Sequence, residues 1–121
     1  MDYQYDEDLK QMKADIKIPI AIDGMKGTVY VRKRPGVDQF LEVMAQHFEV
    51  VIFTASMSVY ADAVLDTLDP NGFCTARLYR EHCTPVDEGG RGPIYTKDMS
   101  KIGRSPQNAM LLDNSPDAYM M

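Results

Sequence analysis

The feature that most constrains this chain is a short run, Val50-Val51-Ile52-Phe53, wholly apolar, rich in β-branched residues and set between two helical stripes. A strand with one wet face alternates apolar and polar residues. An unbroken apolar run instead reads as a strand covered on both faces, the situation inside a parallel sheet. Upstream, Val37, Phe40, Leu41, Met44 and Phe48 recur at i, i+3, i+4, i+7 and i+11, the stripe of an amphipathic helix. Downstream, Val59, Tyr60, Val64, Leu65 and Leu68 form a second stripe. Helices alternating with apolar strands predict an α/β fold on a parallel sheet. Ala109-Met110-Leu111-Leu112 reads as another buried strand, ending directly on Asp113-Asn114-Ser115-Pro116.

The remaining segments fit around this frame. Ile18–Ile22 and Thr28–Val31 are β-rich runs separated by Asp23-Gly24 and Gly27, which predicts a hairpin. Pro35-Gly36 interrupts the chain before the first helix, and Asp69-Pro70-Asn71-Gly72 is a strong turn after the second. Ala76–Tyr79 reads as a strand, residues 84–93 as a Gly/Pro-rich loop, and Ile94-Tyr95-Thr96 as a short strand. Residues 1–17 read as an acidic arm or loop and residues 18–121 as one domain.

Composition excludes several classes. At 121 residues the chain has the length of a single domain, and no apolar run approaches the roughly 18–20 residues that span a bilayer. The acidic start, Asp2 to Asp8, lacks the basic-then-apolar pattern of a leader peptide, so a soluble intracellular protein without a membrane partner is expected. A net charge of −5 argues against direct nucleic-acid binding, which wants a basic field. Cys74 and Cys83 are the only cysteines, too few for a zinc site with His82 alone, and are read as plain thiols. Arg32-Lys33-Arg34, at a strand end, reads as structural and not as a localisation signal.

Ligands of open α/β sheets sit beyond the carboxyl ends of the strands. Here Phe53 runs into Thr54-Ala55-Ser56, and Leu112 runs into Asp113-Asn114. A threonine hydroxyl and free N–H groups ahead of a helix suit an anion. An Asp-Asn pair offers hard oxygen donors of the kind Mg²⁺ takes, and Lys97 would add positive charge for a phosphoryl group. Each residue also has a plainer reading: Thr54 as a helix N-cap, Asp113–Pro116 as an ordinary turn, Lys97 as a solvated charge.

Six stretches in order carry a more specific signal: Lys33-Arg34-Pro35-Gly36-Val37, Phe53-Thr54-Ala55-Ser56, Tyr60-Ala61-Asp62, Tyr79-Arg80-Glu81, Tyr95-Thr96-Lys97-Asp98-Met99-Ser100 and Leu112-Asp113-Asn114-Ser115-Pro116. Together, from about Ile18 to Tyr119, they resemble the small phosphatases acting on the carboxy-terminal domain of RNA polymerase II. This is the NLI-interacting-factor-like group of the haloacid-dehalogenase superfamily. The resemblance implies a Rossmann-like parallel sheet with a β-hairpin insertion. It implies a serine/threonine phosphatase in which an aspartate attacks phosphorus and Mg²⁺ clamps the transferring group. By motif, Thr54 would hydrogen-bond the phosphoryl oxygens, Lys97 would neutralise them, and Asn114 would ligate Mg²⁺ with Asp113 ligating or orienting. Tyr60, Arg80 and Ala55 would meet the phosphoserine or phosphothreonine substrate, with the RNA polymerase II tail as the partner and the nucleus as the compartment.

One element of that family is not in the sequence. Its nucleophile and acid lie in a first strand ending Asp-X-Asp-X-Thr, and no such motif occurs here; Asp6-Glu7-Asp8 is followed by Leu9-Lys10. In the superfamily that strand is central, between those ending at Phe53 and Leu112. Without it the inner edges would lose hydrogen bonds worth about 1–3 kcal/mol each when buried. The closing strand and helix after Ser115-Pro116 are likewise expected to be absent, and the loop between Arg80 and Lys97 is longer than usual. The expectation is an incomplete phosphatase domain, inactive as it stands. The alternatives are a non-catalytic phosphopeptide-binding module, or a scaffold related to the inner-membrane import receptor of mitochondria.

Overall fold

The structure is a computed structural model and describes residues 13–87 and 89–119. Most of the acidic arm, with Asp6-Glu7-Asp8, lies outside the described residues. The chain forms two compact units. One comprises the described residues of Met1–Val50 with Val59–Thr75, the other Val51–Ser58 with the described residues of Ala76–Met121.

In the first unit, β1 (Ile16–Ile22) and β2 (Met25–Val31) pair antiparallel, with Ile22 opposite Met25. Only Asp23-Gly24 separate them, and both take positive φ, 53° and 80°. That is the two-residue primed turn, which matches the twist of the flanking strands and favours Asp-Gly. The hairpin is therefore longer than composition implied, taking in Ile16, Lys17 and Met25 to Gly27. Asp15 closes its open end: its N–H donates to the Val31 carbonyl and its carboxylate accepts the Lys33 N–H. Lys33 also pairs with Asp38 at 2.8 Å, in the first turn of α1 (Val37–His47), so the basic trio has a structural use.

Helix α1 buries Leu41, and α2 (Ser58–Leu68) buries Ala61 and Leu65, one residue of each predicted stripe or its immediate neighbour. Ile18 of β1 is the other buried apolar residue among the described residues of this unit. Beyond α2, the buried Asp69 carboxylate accepts the N–H groups of Phe73 and Cys74, each at 2.9 Å, and turns the chain toward β4 (Cys74–Leu78).

Strand β3 (Val50–Phe53) pairs with β4. The Thr54 N–H donates to the Leu78 carbonyl and the Arg80 N–H to the Ser56 carbonyl. The two bonds step forward along both segments together, the sense of a parallel pair. The strand stands where the apolar run predicts it, but none of its four residues is buried and Val51 is 40% exposed. Among the described residues β3 has a strand neighbour on one side only, so its other edge has no strand partner.

In the second unit, β5 (Thr84–Val86) and β6 (Ile94–Thr96) pair antiparallel, with Thr84 opposite Thr96. The Gly/Pro-rich loop predicted over 84–93 is thus overturned at its start. Thr84-Pro85-Val86 is a strand despite its proline, which an edge position tolerates. Thr96 is fully buried, and its hydroxyl donates to the Thr84 carbonyl at 3.0 Å.

The expected α/β class holds as mixed helices and small sheets, each of two strands, and not as one parallel sheet. The run Ala109–Leu112 is not a strand. Met110 and Leu112 are 79% and 77% exposed, and among the described residues no strand lies beside the run to take its hydrogen bonds. An apolar sequence without a neighbouring ladder has no reason to settle into one.

Candidate functional site

The loops after β3 and β4 are held against each other. Thr54 stands four residues ahead of the first residue of α2, so it is not that helix's cap. Its Oγ1 instead accepts the Ser56 N–H at 3.0 Å, folding Thr54-Ala55-Ser56 into a tight turn. Arg80 follows β4 in a one-turn 3₁₀ segment (Arg80–His82), where the Tyr79 N–H donates to His82 Nδ1 at 2.9 Å. The Arg80 Nε donates to the Ala55 carbonyl at 2.7 Å, and its guanidinium carbon lies 5.1 Å from the centre of the Tyr95 ring. Cys83, buried, points its thiol at the Thr54 carbonyl, 3.7 Å away. Burial pushes that thiol above its ordinary range against the pull of Lys97 and Arg80, with Glu81 pushing the same way as burial.

Lys97 follows β6 directly, and its ammonium donates to Oδ2 of Asp113. Their side chains are only 12% and 10% exposed, so Lys97 is not the solvated charge that an isolated lysine suggests. Oδ1 of Asp113 accepts the Ser115 N–H at 2.8 Å, so the Asp-Asn-Ser-Pro turn and the ion pair share one carboxylate. Burial raises the Asp113 carboxyl, but the bonds from Lys97 and Ser115 and the charge of Lys97 outweigh it and hold it below the usual range. The Asp113 N–H donates to the Tyr119 hydroxyl at 2.7 Å, while the Lys97 N–H donates to the Ala118 carbonyl.

Ala55 and Arg80 are thus joined directly, and so are Lys97 and Asp113. Cys83 touches Thr54, the neighbour of Ala55, and lies within electrostatic reach of both Lys97 and Arg80. Tyr60 belongs to α2 in the other unit and is 41% exposed. Asn114 is exposed, with its side chain making no hydrogen bond among the described residues. An open concavity of about 550 Å³ adjoins Arg80, lined also by Met57, Glu81, Cys83, Pro85 and Tyr95.

From sequence Cys83 reads only as a plain thiol, and Tyr95 and Tyr119 carry no assigned role. Tyr95 carried a usable signal: alternation along a strand puts it on the same face as Lys97, two residues on. Cys83 and Tyr119 carried none, because their contacts reach across the chain to Thr54 and back to Asp113.

A magnesium ion asks for about six oxygen donors in near-octahedral array, several of them waters. Asn114 offers a free amide oxygen and Asp113 a carboxylate already committed to Lys97 and Ser115. Among the described residues no group of three or more His, Cys, Asp or Glu could enclose a metal. The donor chemistry is of the right kind, but these residues alone do not make a magnesium centre.

A Thr-Ala-Ser turn at a strand end, an arginine fixed beside it and a lysine–aspartate pair withdrawn from water are side-chain chemistry that suits an anion such as phosphate. The chain matches the NLI interacting factor-like phosphatase family over residues 4–121, and it belongs to that family. It is 50% identical over 107 residues to human carboxy-terminal domain RNA polymerase II polypeptide A small phosphatase 1, covering 88% of this chain and 39% of that protein. To the human CTD small phosphatase-like protein it is 49% identical, covering 88% and 37%. To the probable C-terminal domain small phosphatase of Dictyostelium discoideum it is 44% identical over 106 residues, covering 88% and 33%. The chain spans a third to two-fifths of the length of these curated relatives.

Proposed function

We propose that the chain is part of a Mg²⁺-dependent protein serine/threonine phosphatase domain whose complete form acts, through an aspartyl-phosphate, on a nuclear phosphoprotein. The RNA polymerase II tail is the proposed substrate. The observation that carries this reading is the Lys97–Asp113 pair, a positive charge drawn out of water and aimed by a carboxylate. Such a charge is worth more to a phosphoryl group than the same charge in solvent, because little water screens it.

In this reading Lys97 neutralises phosphoryl oxygens, and Thr54 donates its hydroxyl proton to them while its Oγ1 goes on accepting the Ser56 N–H. Arg80 meets the phosphopeptide and Ala55 holds Arg80 through its carbonyl, while Tyr60, in the other unit, is proposed as a substrate contact on its motif alone. Asn114 is the proposed Mg²⁺ ligand. Asp113, with both oxygens engaged, orients Lys97. Because the sequence holds no Asp-X-Asp-X-Thr motif, the 121-residue chain should not turn over phosphate esters. Mg²⁺-dependent hydrolysis by the purified chain, above that of its Lys97→Ala variant, would overturn the claim of incompleteness. The transcript upstream of Met1 is the complementary test: an in-frame strand ending in the motif supports an active parent domain.

A second reading, a non-catalytic phosphopeptide-binding module, is favoured by the same absence of the motif alongside the Lys97–Asp113 pair and the fixed Arg80. It predicts saturable binding of a phosphoserine peptide that Lys97→Ala abolishes. Binding indifferent to phosphate rules it out.

A further inference from the structure

Arg80 is exposed, and an exposed arginine ordinarily samples many rotamers, losing that freedom when it grips a ligand. Here its freedom is already removed from two directions. Nε is tied to the Ala55 carbonyl, and the flat guanidinium lies over the Tyr95 ring at 5.1 Å. Tyr95 is itself fixed, since it stands in β6 opposite Pro85 and next to the fully buried Thr96. With Nε engaged by the Ala55 carbonyl, the side-on grip is taken up and the two terminal nitrogens are left as the end-on fork that fits two oxygens of a phosphate. Both residues line the concavity of about 550 Å³.

We infer that Tyr95 is a positioning residue for phosphopeptide recognition: its ring is the shelf that presets the Arg80 fork toward the phosphorylated ligand. The inference rests on the phosphoprotein reading above and adds to it a residue that touches no phosphate. The ring acts through its negative face, so the effect should follow the ring's electron density and vanish with the arginine.

The test is fluorescence-anisotropy titration of the whole chain with a labelled phosphoserine peptide from the polymerase tail and its unphosphorylated twin. Tyr95→Leu should weaken binding roughly three- to tenfold, the effect of losing one cation–π contact. Tyr95→Phe should stay within about twofold of the parent, since it keeps the ring. Phenylalanines of increasing ring fluorination at position 95, which keep shape and packing, should weaken binding stepwise; they also serve should Tyr95→Leu fail to fold. In an Arg80→Ala background the Tyr95 substitutions should have no further effect, the signature of two residues acting as one. If the parent chain binds the phosphopeptide and position 95 is inert, or its effect persists undiminished without Arg80, the positioning inference is overturned and the phosphopeptide reading stands. If the parent chain does not distinguish the phosphopeptide from its twin, the phosphopeptide reading falls and the inference with it.

Discussion

The Lys97 ammonium and the Asp113 carboxylate face each other across sixteen residues of chain, with nine-tenths of both side chains withdrawn from water. Each is tolerable there only because of the other. Removing one leaves an uncompensated charge in a poorly solvated place, which costs more than the pair itself contributes. Lys97→Ala is therefore expected to destabilise the chain by roughly 3 kcal/mol. The double variant Lys97→Met/Asp113→Leu should recover part of that loss. Urea unfolding followed by circular dichroism measures both, and equal losses in the single and double variants would refute the pairing.

The same pair gives a pH dependence with a definite sign. Asp113 titrates below the usual carboxylate range in the folded chain, so the folded state binds its proton less readily than the unfolded state does. Its contribution is present above the unfolded carboxylate range, near pH 4, and is lost as pH falls through the lower folded value. The urea midpoint should accordingly drop between about pH 5 and pH 3, and Asp113→Asn should flatten that drop.

Cys83 should be slow to alkylate. Its thiol is buried and its ionisation is pushed to higher pH, and the thiolate is the reactive form. Iodoacetamide labelling at pH 8, read by peptide mapping, should modify Cys83 at least about tenfold more slowly in the folded chain than in urea. Equal rates in the two conditions would contradict its placement against Thr54.

Asp69 predicts a stability effect with no functional counterpart. Its carboxylate satisfies two backbone N–H groups at the end of α2, those of Phe73 and Cys74. Asp69→Ala should cost about 2 kcal/mol, within the range for leaving buried donors unpaired. Phosphopeptide affinity, measured well below the unfolding midpoint, should be unchanged.

At the hairpin, Gly24 holds φ at 80° with open space where a side chain would begin. Gly24→Ala is expected to cost about 1 kcal/mol, through backbone strain alone. Gly24→Asn should cost less, since asparagine visits that region more readily. Thermal unfolding of the two variants would order them.

The two helices, the hairpin turn and the order of the six motifs were legible because each is written locally: a 3.6-residue apolar stripe, an Asp-Gly pair, short runs of characteristic residues. Strand β3 was legible for the same reason, as a β-branched run between helices. Its burial on both faces was not, because covering a strand depends on what lies beside it, and Val51 remains exposed. Ala109–Leu112 has an equally apolar composition and forms no ladder, whereas Thr84-Pro85-Val86, with a proline, does, because Ile94-Tyr95-Thr96 lies alongside. The candidate site divides in the same way. Residue types alone named Thr54, Lys97 and Asp113 as candidates. Only the tertiary structure removed the Lys97–Asp113 pair from water, set Cys83 against Thr54 and placed the Tyr95 ring under Arg80. Hydrogen-bond partners and burial are supplied by residues distant along the chain, and no local pattern encodes which of them will arrive.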